Sequence, residues 1–323
     1  MRAPFQLDLH VPNFNWPDTP PEAFFEKLVE IATTAESSGF SSISMMDHLH
    51  QIPPVGPPEN WMMEGNAILA ALGARTSSIH LGLLVGGVTY RNPALLAKLT
   101  TTIDVISRGR AVLGLGAAWF EGEHKAYGFD FPPLKERFER LEDALNIARL
   151  LFTQEVSRYD GKHYRVVDAF NNPKPIRGDI PILIGGSGER KTLRMVAQYA
   201  DGSNLFGDVE RVKHLLGVLE AHCETFDRDP AEITKTRMGR VYIGATHEQA
   251  EAKFAPVLER APDKDRARAE AFIGEPAEIA EQAQAYIDAG LDGITFSMPD
   301  VWDLEAVALA GETLSAVVGT RTT

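Results

Sequence analysis

Apolar residues recur along the chain with two alternating periods. Phe5, Leu7, Leu9 and Val11 stand two apart, the spacing of a strand with one apolar face. Phe24, Leu28, Ile31 and Ala35 then repeat every three to four residues behind Pro21, the spacing of an amphipathic helix that Gly39 can end. The same couplet continues. Strands are expected at residues 41–48, 79–86, 111–116 and 181–186, around GSNLF, at 238–244 and in DGITFSM. Helices are expected between them, from Gly65, Pro93 and Pro133, through Leu193 and Val196, through Val212 and Leu216, in EIAEQAQAYIDAG with Gly290 as its C′ residue, and last at 304–318. Eight strands alternating with helices is the count that closes a parallel barrel, so the expected fold is α/β, a single TIM-type (β/α)8 barrel domain spanning residues 1–323. Three stretches exceed ordinary connections and are expected as insertions after strands two, four and seven: residues 50–63 (Pro-rich), 155–180 (with Asp160-Gly161 as a hairpin turn) and 245–273. The rival doubly wound sheet would place a glycine-rich turn after its first strand, and PNFNWPDTP has no glycine.

Charge and composition narrow the function classes. The formal charge of -13 and the lack of a basic stripe argue against nucleic acid, and no run approaches the length of a membrane helix. The amino terminus runs into a strand pattern with no signal-peptide features, so a cytoplasmic location is expected. The lone Cys223 has no partner for an internal disulfide and reads as a helix residue. No metal-ligand pattern stands out.

In a barrel, residues just past the strand ends converge on one pocket, which turns a scattered set into candidate chemistry. Asp47 and His48 close strand two, where an imidazole can exchange a proton and a carboxylate can orient it. His10 at the end of strand one is a further candidate, whereas His50 reads as surface and His80, at a strand start, as packing. After strand three, VGGVTYRNP offers Gly86 and Gly87 for close approach of a flat ring, Arg91 for an anion, and Asn92 as a helix cap before Pro93. Trp119 after strand four suits an apolar wall; Glu121 and Glu123 could polarise or deprotonate a substrate, but loop carboxylates are more often solvated. In IGGSGERKTLR, Gly186, Ser187 and Gly188 lie between strand and helix, where free N–H groups and a hydroxyl suit a phosphate, with Arg190 as charge partner.

SMMDHLHQ, GVTYRNPALLAKLTTTIDVISRGRAVLGLGAAWFEGEHKAYG, PILIGGSGERKTLRMVAQYADGSNLF and AYIDAGLDGITF together resemble the luciferase-like monooxygenase superfamily, most of all its branch of oxidoreductases dependent on the deazaflavin coenzyme F420. The resemblance covers nearly the whole chain. It implies an insertion-bearing barrel with FMN or F420 across the carboxyl-terminal strand ends, Asp47 and His48 beside the reactive ring, and a bulge at Val85, Gly86 and Gly87 behind it, often with a non-proline cis peptide. It also implies a homodimer and the cofactor phosphate near Gly186, Ser187 and Gly188. The Asp-His pair favours F420 and hydride transfer to or from a small organic substrate, with His48 handling the matching proton. Two alternatives stand beside this reading: an FMN-dependent monooxygenase, served by a reductase partner, and a barrel that binds a small ligand without catalysis.

Overall fold

The computed structural model describes residues 3–319. Its strands are β1 (Leu7–Val11), β2 (Ser42–Met45), β3 (His80–Leu83), β4 (Gly86–Gly87), β5 (Ala111–Gly116), β6 (Ser157–Asp160), β7 (Arg165–Ala169), β8 (Ile182–Gly185), β9 (Gly202–Leu205), β10 (Thr234–Ile243), β11 (Ala271–Gly274) and β12 (Gly293–Ser297). Parallel pairing runs β1-β2-β3-β5-β8-β9-β10-β12 and returns from β12 to β1, which closes an eight-stranded barrel. The helices that face it are α1 (Phe24–Ser37), α2 (Gly65–Arg75), α3 (Pro93–Ile106), α5 (Leu134–Thr153), α6 (Thr192–Tyr199), α7 (Val209–Thr225), α10 (Pro276–Asp288) and α11 (Leu304–Val318). Among the described residues no helix is long and apolar enough to cross a membrane.

Strand periodicity explains the two sides of the wall. Leu7, Leu9, Val11, Ile43, Met45, Ile294 and Phe296 turn outward into the core shared with the helices. Their alternates, Asp8, His10, Ser42, Ser44, Thr295 and Ser297, are buried and polar, so this side of the barrel interior is hydrogen-bonding rather than greasy. Apolar filling comes from Phe5, Val112 and Leu183, which pack together against Leu84 and Val85 beneath the cavity. The helix ends follow the chemistry expected of them. Asn92 accepts from the N–H of Ala94 at 2.9 Å with Pro93 behind it, and Gly290 ends its helix at φ +115°.

Several boundaries differ from the sequence expectation. Regular pairing of β2 stops at Met45, which leaves Asp47 and His48 in the following loop. The third strand is broken: the Leu84–Val85 peptide is cis, β3 ends at Leu83, and β4 resumes against β5. β10 starts at Thr234 and changes neighbour along one edge, pairing with β9 through Arg237 and with β11 from Arg240. After it, α8 (His247–Arg260), α9 (Lys264–Ala269) and β11 occupy the stretch that sequence marks only as helical. The predicted hairpin forms as β6 and β7, tied to α5 by Asp143, which accepts from Tyr159 Oη at 3.0 Å and from the N–H of His163 at 2.7 Å. α4 (Glu121–Tyr127), a short helix after β5, shapes the site.

Candidate active site

The carboxyl-terminal strand ends surround a cavity of about 1640 Å³ lined by His10, Asp47, His48, Val85, Gly86 and Gly87, among others. That is ample for a drug-sized ligand with a second molecule beside it. The third-strand break forms one wall. A Cβ on Gly114 would stand 1.8 Å from the Leu83 carbonyl oxygen, and one on Gly116 would stand 2.9 Å from Val85 Cγ2. Only glycine therefore lets β5 lie this close to the broken strand, and Gly86, Gly116 and Gly185 line the cavity with the Val85 side chain seated against Gly116 and Gly185.

Asp47 stands at the edge of this wall. Its Oδ2 accepts from the N–H of Gly87 at 2.9 Å and from Arg91 Nη1 at 2.8 Å. Its Oδ1 is buried without a partner, although the residue lines the cavity. Burial pushes the Asp47 carboxyl above its ordinary pKa, against the pull of Arg91 and Gly87. Arg91 bridges onward to Glu64 at 2.5 Å, so it is neither a solvated charge nor a free anion clamp: it fixes Asp47. Glu64 in turn caps α2 through the N–H of Ala67 at 2.7 Å.

His48 faces the other way. Its Nδ1 lies 3.0 Å from Glu123 Oε2, and its ring meets Trp119 edge-on at 5.7 Å between centroids. Glu123, expected from the sequence to be a solvated loop carboxylate, is instead buried behind His48. In the fold α4 turns Glu121 out to Lys125 and Glu123 in, to 0% side-chain exposure. There its Oε1 accepts the N–H groups of Leu49 and His50 at 2.5 and 3.1 Å, and Tyr90 Oη donates to Oε2. Burial alone would raise its pKa, but the bonds from His48, Tyr90 and Leu49 outweigh that and hold the carboxyl down at about 2. The signal was in the spacing of Phe120, Glu123, His124 and Tyr127, which is that of one helical face.

Three other histidines are spoken for locally. His124 is buried between Thr89 Oγ1 at 2.6 Å and the Phe120 carbonyl at 2.8 Å and stacks on Tyr90, which anchors α4. His50 is half-buried rather than on the open surface, stacked on Tyr127. His80 packs at its strand start, where burial depresses its pKa to about 4. His10 lines the cavity beside His48 and bonds Ser44.

At the far end of the cavity the glycine-rich turn is only partly turned inward. Gly186 and Thr192 line the cavity; Ser187 Oγ accepts from the N–H of Phe206 at 2.8 Å; Gly188 and Arg190 are exposed, and Arg190 has no ion pair. Arg237 was not anticipated at all. It is 1% exposed, lies 4.5 Å from the Tyr286 ring centroid and donates to the Glu270 carbonyl at 3.1 Å. Among the described residues no group of His, Cys, Asp and Glu side chains could hold a metal ion.

Residues 5–293 match the luciferase-like monooxygenase family. The F420-dependent glucose-6-phosphate dehydrogenase of Segniliparus rotundus is 28% identical over 303 residues, an alignment that covers 84% of this chain and 88% of the relative. F420-dependent glucose-6-phosphate dehydrogenase 1 of Rhodococcus jostii is 30% identical over 311 residues with the same two coverages, 84% and 88%. Among solved structures, the coenzyme F420-dependent tetrahydromethanopterin reductase of Methanopyrus kandleri superposes with a TM-score of 0.77 at 18% identity, covering 97% of this chain and 99% of that one.

Proposed function

Because the chain belongs to the luciferase-like monooxygenase family, we propose that its cavity binds coenzyme F420 and exchanges a hydride between that deazaflavin and a small organic substrate. The observation that carries this reading is the pairing of a wall built of Gly86, Gly116 and Gly185 with Val85 seated against it and, beside it, the buried Asp47 Oδ1, which has no partner among the described residues. A flat polar heterocycle matches both features, since its face needs the space and its polar edge satisfies the carboxyl. The relatives named for F420 support the choice of ring. When bound, a deazaflavin supplies a carbon centre that gives or takes hydride in place of the flavin nitrogen used in oxygen chemistry.

The chain's own residues do the rest. Val85, Gly86 and Gly87 support the ring from behind, and Asp47, held by Arg91 and Gly87, fixes its edge. The turn at Gly186, Ser187 and Gly188 receives the phosphate, with Gly186 and Thr192 on the cavity side and the exposed Arg190 supplying charge from outside its lining. His48 holds or releases a proton at Nε2, while Glu123 at Nδ1 fixes the ring orientation. The apolar Trp119 screens the mouth. A cytoplasmic homodimer is part of the same proposal, and sedimentation of a monodisperse monomer at micromolar concentration contradicts that part.

Titration of the purified protein with oxidised F420 and, separately, with FMN tests the reading. Saturable F420 binding that weakens in Asp47→Asn is expected; strong FMN binding with none of F420 favours a monooxygenase and overturns it. Replacing His48 by Ala should lower turnover about 10- to 1000-fold while most cofactor affinity survives, because the phosphate contacts lie elsewhere.

A further inference from the structure

Beneath the cavity, inside the barrel, three buried groups stand in a row. His10 Nδ1 is 3.0 Å from Ser44 Oγ, and Ser44 donates to Asp8 Oδ2 at 2.6 Å. They come from adjacent strands in register, β1 opposite β2, with His10 beside Ser44 and Asp8 beside Ser42. His10 is 5% exposed and lines the cavity, while Asp8 and Ser44 are 0% exposed. Because Ser44 gives its hydrogen to Asp8, its oxygen is left to accept, which places the His10 hydrogen on Nδ1 and leaves Nε2 a bare lone pair. Nε2 has no hydrogen-bond partner among the described residues, and it belongs to the residue of the row that faces the cavity.

The geometry points to His10 as a second proton acceptor of the active site, passing a substrate hydroxyl proton through Ser44 to Asp8. This rests on the hydride-transfer reading and gives its substrate a class: a compound whose reacting carbon carries a hydroxyl. In the oxidative direction the carbon loses hydride to the bound deazaflavin and the C–O bond becomes a carbonyl. The hydroxyl proton goes to His10 Nε2, the Nδ1 proton moves to Ser44 Oγ, and the Ser44 proton moves to Asp8 Oδ2. One proton enters the row and one carboxyl is neutralised, and the imidazole ends neutral in its other tautomer. Reduction of a carbonyl runs the same transfers backward.

The electrostatics of the row favour that end point. Burial, with His48 adding to it, depresses the His10 pKa to about 4, so an imidazolium is a poor resting place for the proton. Burial also raises Asp8, to about 7, against the hydroxyls of Ser44 and Ser42. Asp8 Oδ1 has no hydrogen-bond partner, and the side chain opposite it on β12 is Thr295. The titratable group facing His10 is His48, from the loop after β2. No cation pairs with Asp8, so the neutral acid is the form the barrel interior accepts. His48 lacks such a relay, since the carboxyl behind it is held at about 2 and stays ionised. The two histidines therefore differ in kind: His48 shares its proton with a permanent anion, whereas His10 drains its proton into a group that can be neutralised.

Two sets of measurements test the transfer. In the protein without cofactor, nitrogen NMR of the wild-type histidines should show His10 neutral with its hydrogen on Nδ1 at pH 8, and a step near pH 7 as Asp8 takes up a proton. Infrared difference spectra should show a buried carboxyl appear over the same range and vanish in Asp8→Asn. Ser44→Ala should remove the step from His10 while keeping the infrared band. A His10 hydrogen on Nε2, or an Asp8 still ionised at pH 5, overturns the proposal. In the enzyme supplied with F420 and a panel of primary and secondary alcohols, kcat for oxidation should rise through pH 7 in the wild type. It should fall about 10- to 100-fold in His10→Gln and in Asp8→Asn, with KM and F420 affinity little changed. Wild-type rates in both variants overturn the transfer and leave the hydride reading intact. F420 binding without oxidation of any alcohol overturns the transfer and its substrate class while leaving hydride exchange with another substrate standing; no F420 binding overturns the hydride reading, and the transfer with it.

Discussion

Replacing Glu123 by Gln tests the buried carboxylate behind His48. The change keeps the shape of the side chain and removes its charge, while Glu123 takes hydrogen bonds from His48, Tyr90 and the N–H groups of Leu49 and His50. An amide offers one accepting oxygen, so whichever way it turns, its NH2 meets groups that were donating. The magnitude follows from the titration. A carboxyl moved from 4.5 to about 2 is stabilised in its charged form by about 3 kcal/mol in the folded protein. Loss of one or two charge-assisted bonds comes to a similar sum. Because the folded pKa is depressed, the contribution is complete above pH 4.5 and drains away as the pH falls toward 2. Urea unfolding of both proteins at pH 7, 5, 4 and 3 should thus show Glu123→Gln less stable by about 3 kcal/mol at the two higher values, with the gap narrowing at the lower two. A gap below about 0.5 kcal/mol at pH 7, or one that does not depend on pH, would refute the reasoning.

Two further expectations concern the frame around the site. Gly114→Ala puts a methyl group 1.8 Å from the Leu83 carbonyl oxygen, a backbone atom that cannot step aside, so circular dichroism melts should show loss of cooperative folding or a fall in Tm of at least about 10 °C. Arg110→Ala leaves the carbonyls of Gly73, Thr76 and Ile79 without their donor, all of them bonded at 2.6–2.9 Å, and should cost about 3 kcal/mol in urea unfolding without changing ligand affinity.

The barrel was legible because its outward set is apolar at strict alternation: Leu7, Leu9 and Val11, Ile43 and Met45, Ile294 and Phe296 each repeat every second residue. The same alternation hides what the inward set does. Asp8, Ser42 and Ser44 read only as the polar half of a pattern, and their bonding depends on the register between β1 and β2. Asp47 and His48 were placed near the pocket from the residues alone, whereas the third-strand bulge at Val85 to Gly87 with its non-proline cis peptide came only through the family resemblance, since the clearance between Gly114 and Leu83 is a contact between strands. Glu123 was read as solvated for the same reason, because its four donors come from residues more than thirty positions away. The glycine-rich turn was correctly set between strand and helix, yet which of its residues reach the cavity is decided by packing against Phe206 and Thr192. β11, the short run AFIG, carries too few residues to separate it from the helical composition around it.

The central claim is that this cavity moves a hydride rather than an oxygen atom. Reduced F420 carrying deuterium at its hydride-bearing ring carbon, incubated with the protein and a panel of small carbonyl compounds, tests it most directly, with the products read by mass spectrometry in parallel anaerobic and labelled-oxygen reactions. The account predicts one deuterium on the former carbonyl carbon, in equal yield with and without oxygen, and none of the label from oxygen gas. Product formed only in air, carrying an oxygen atom from the gas and no deuterium, would contradict it.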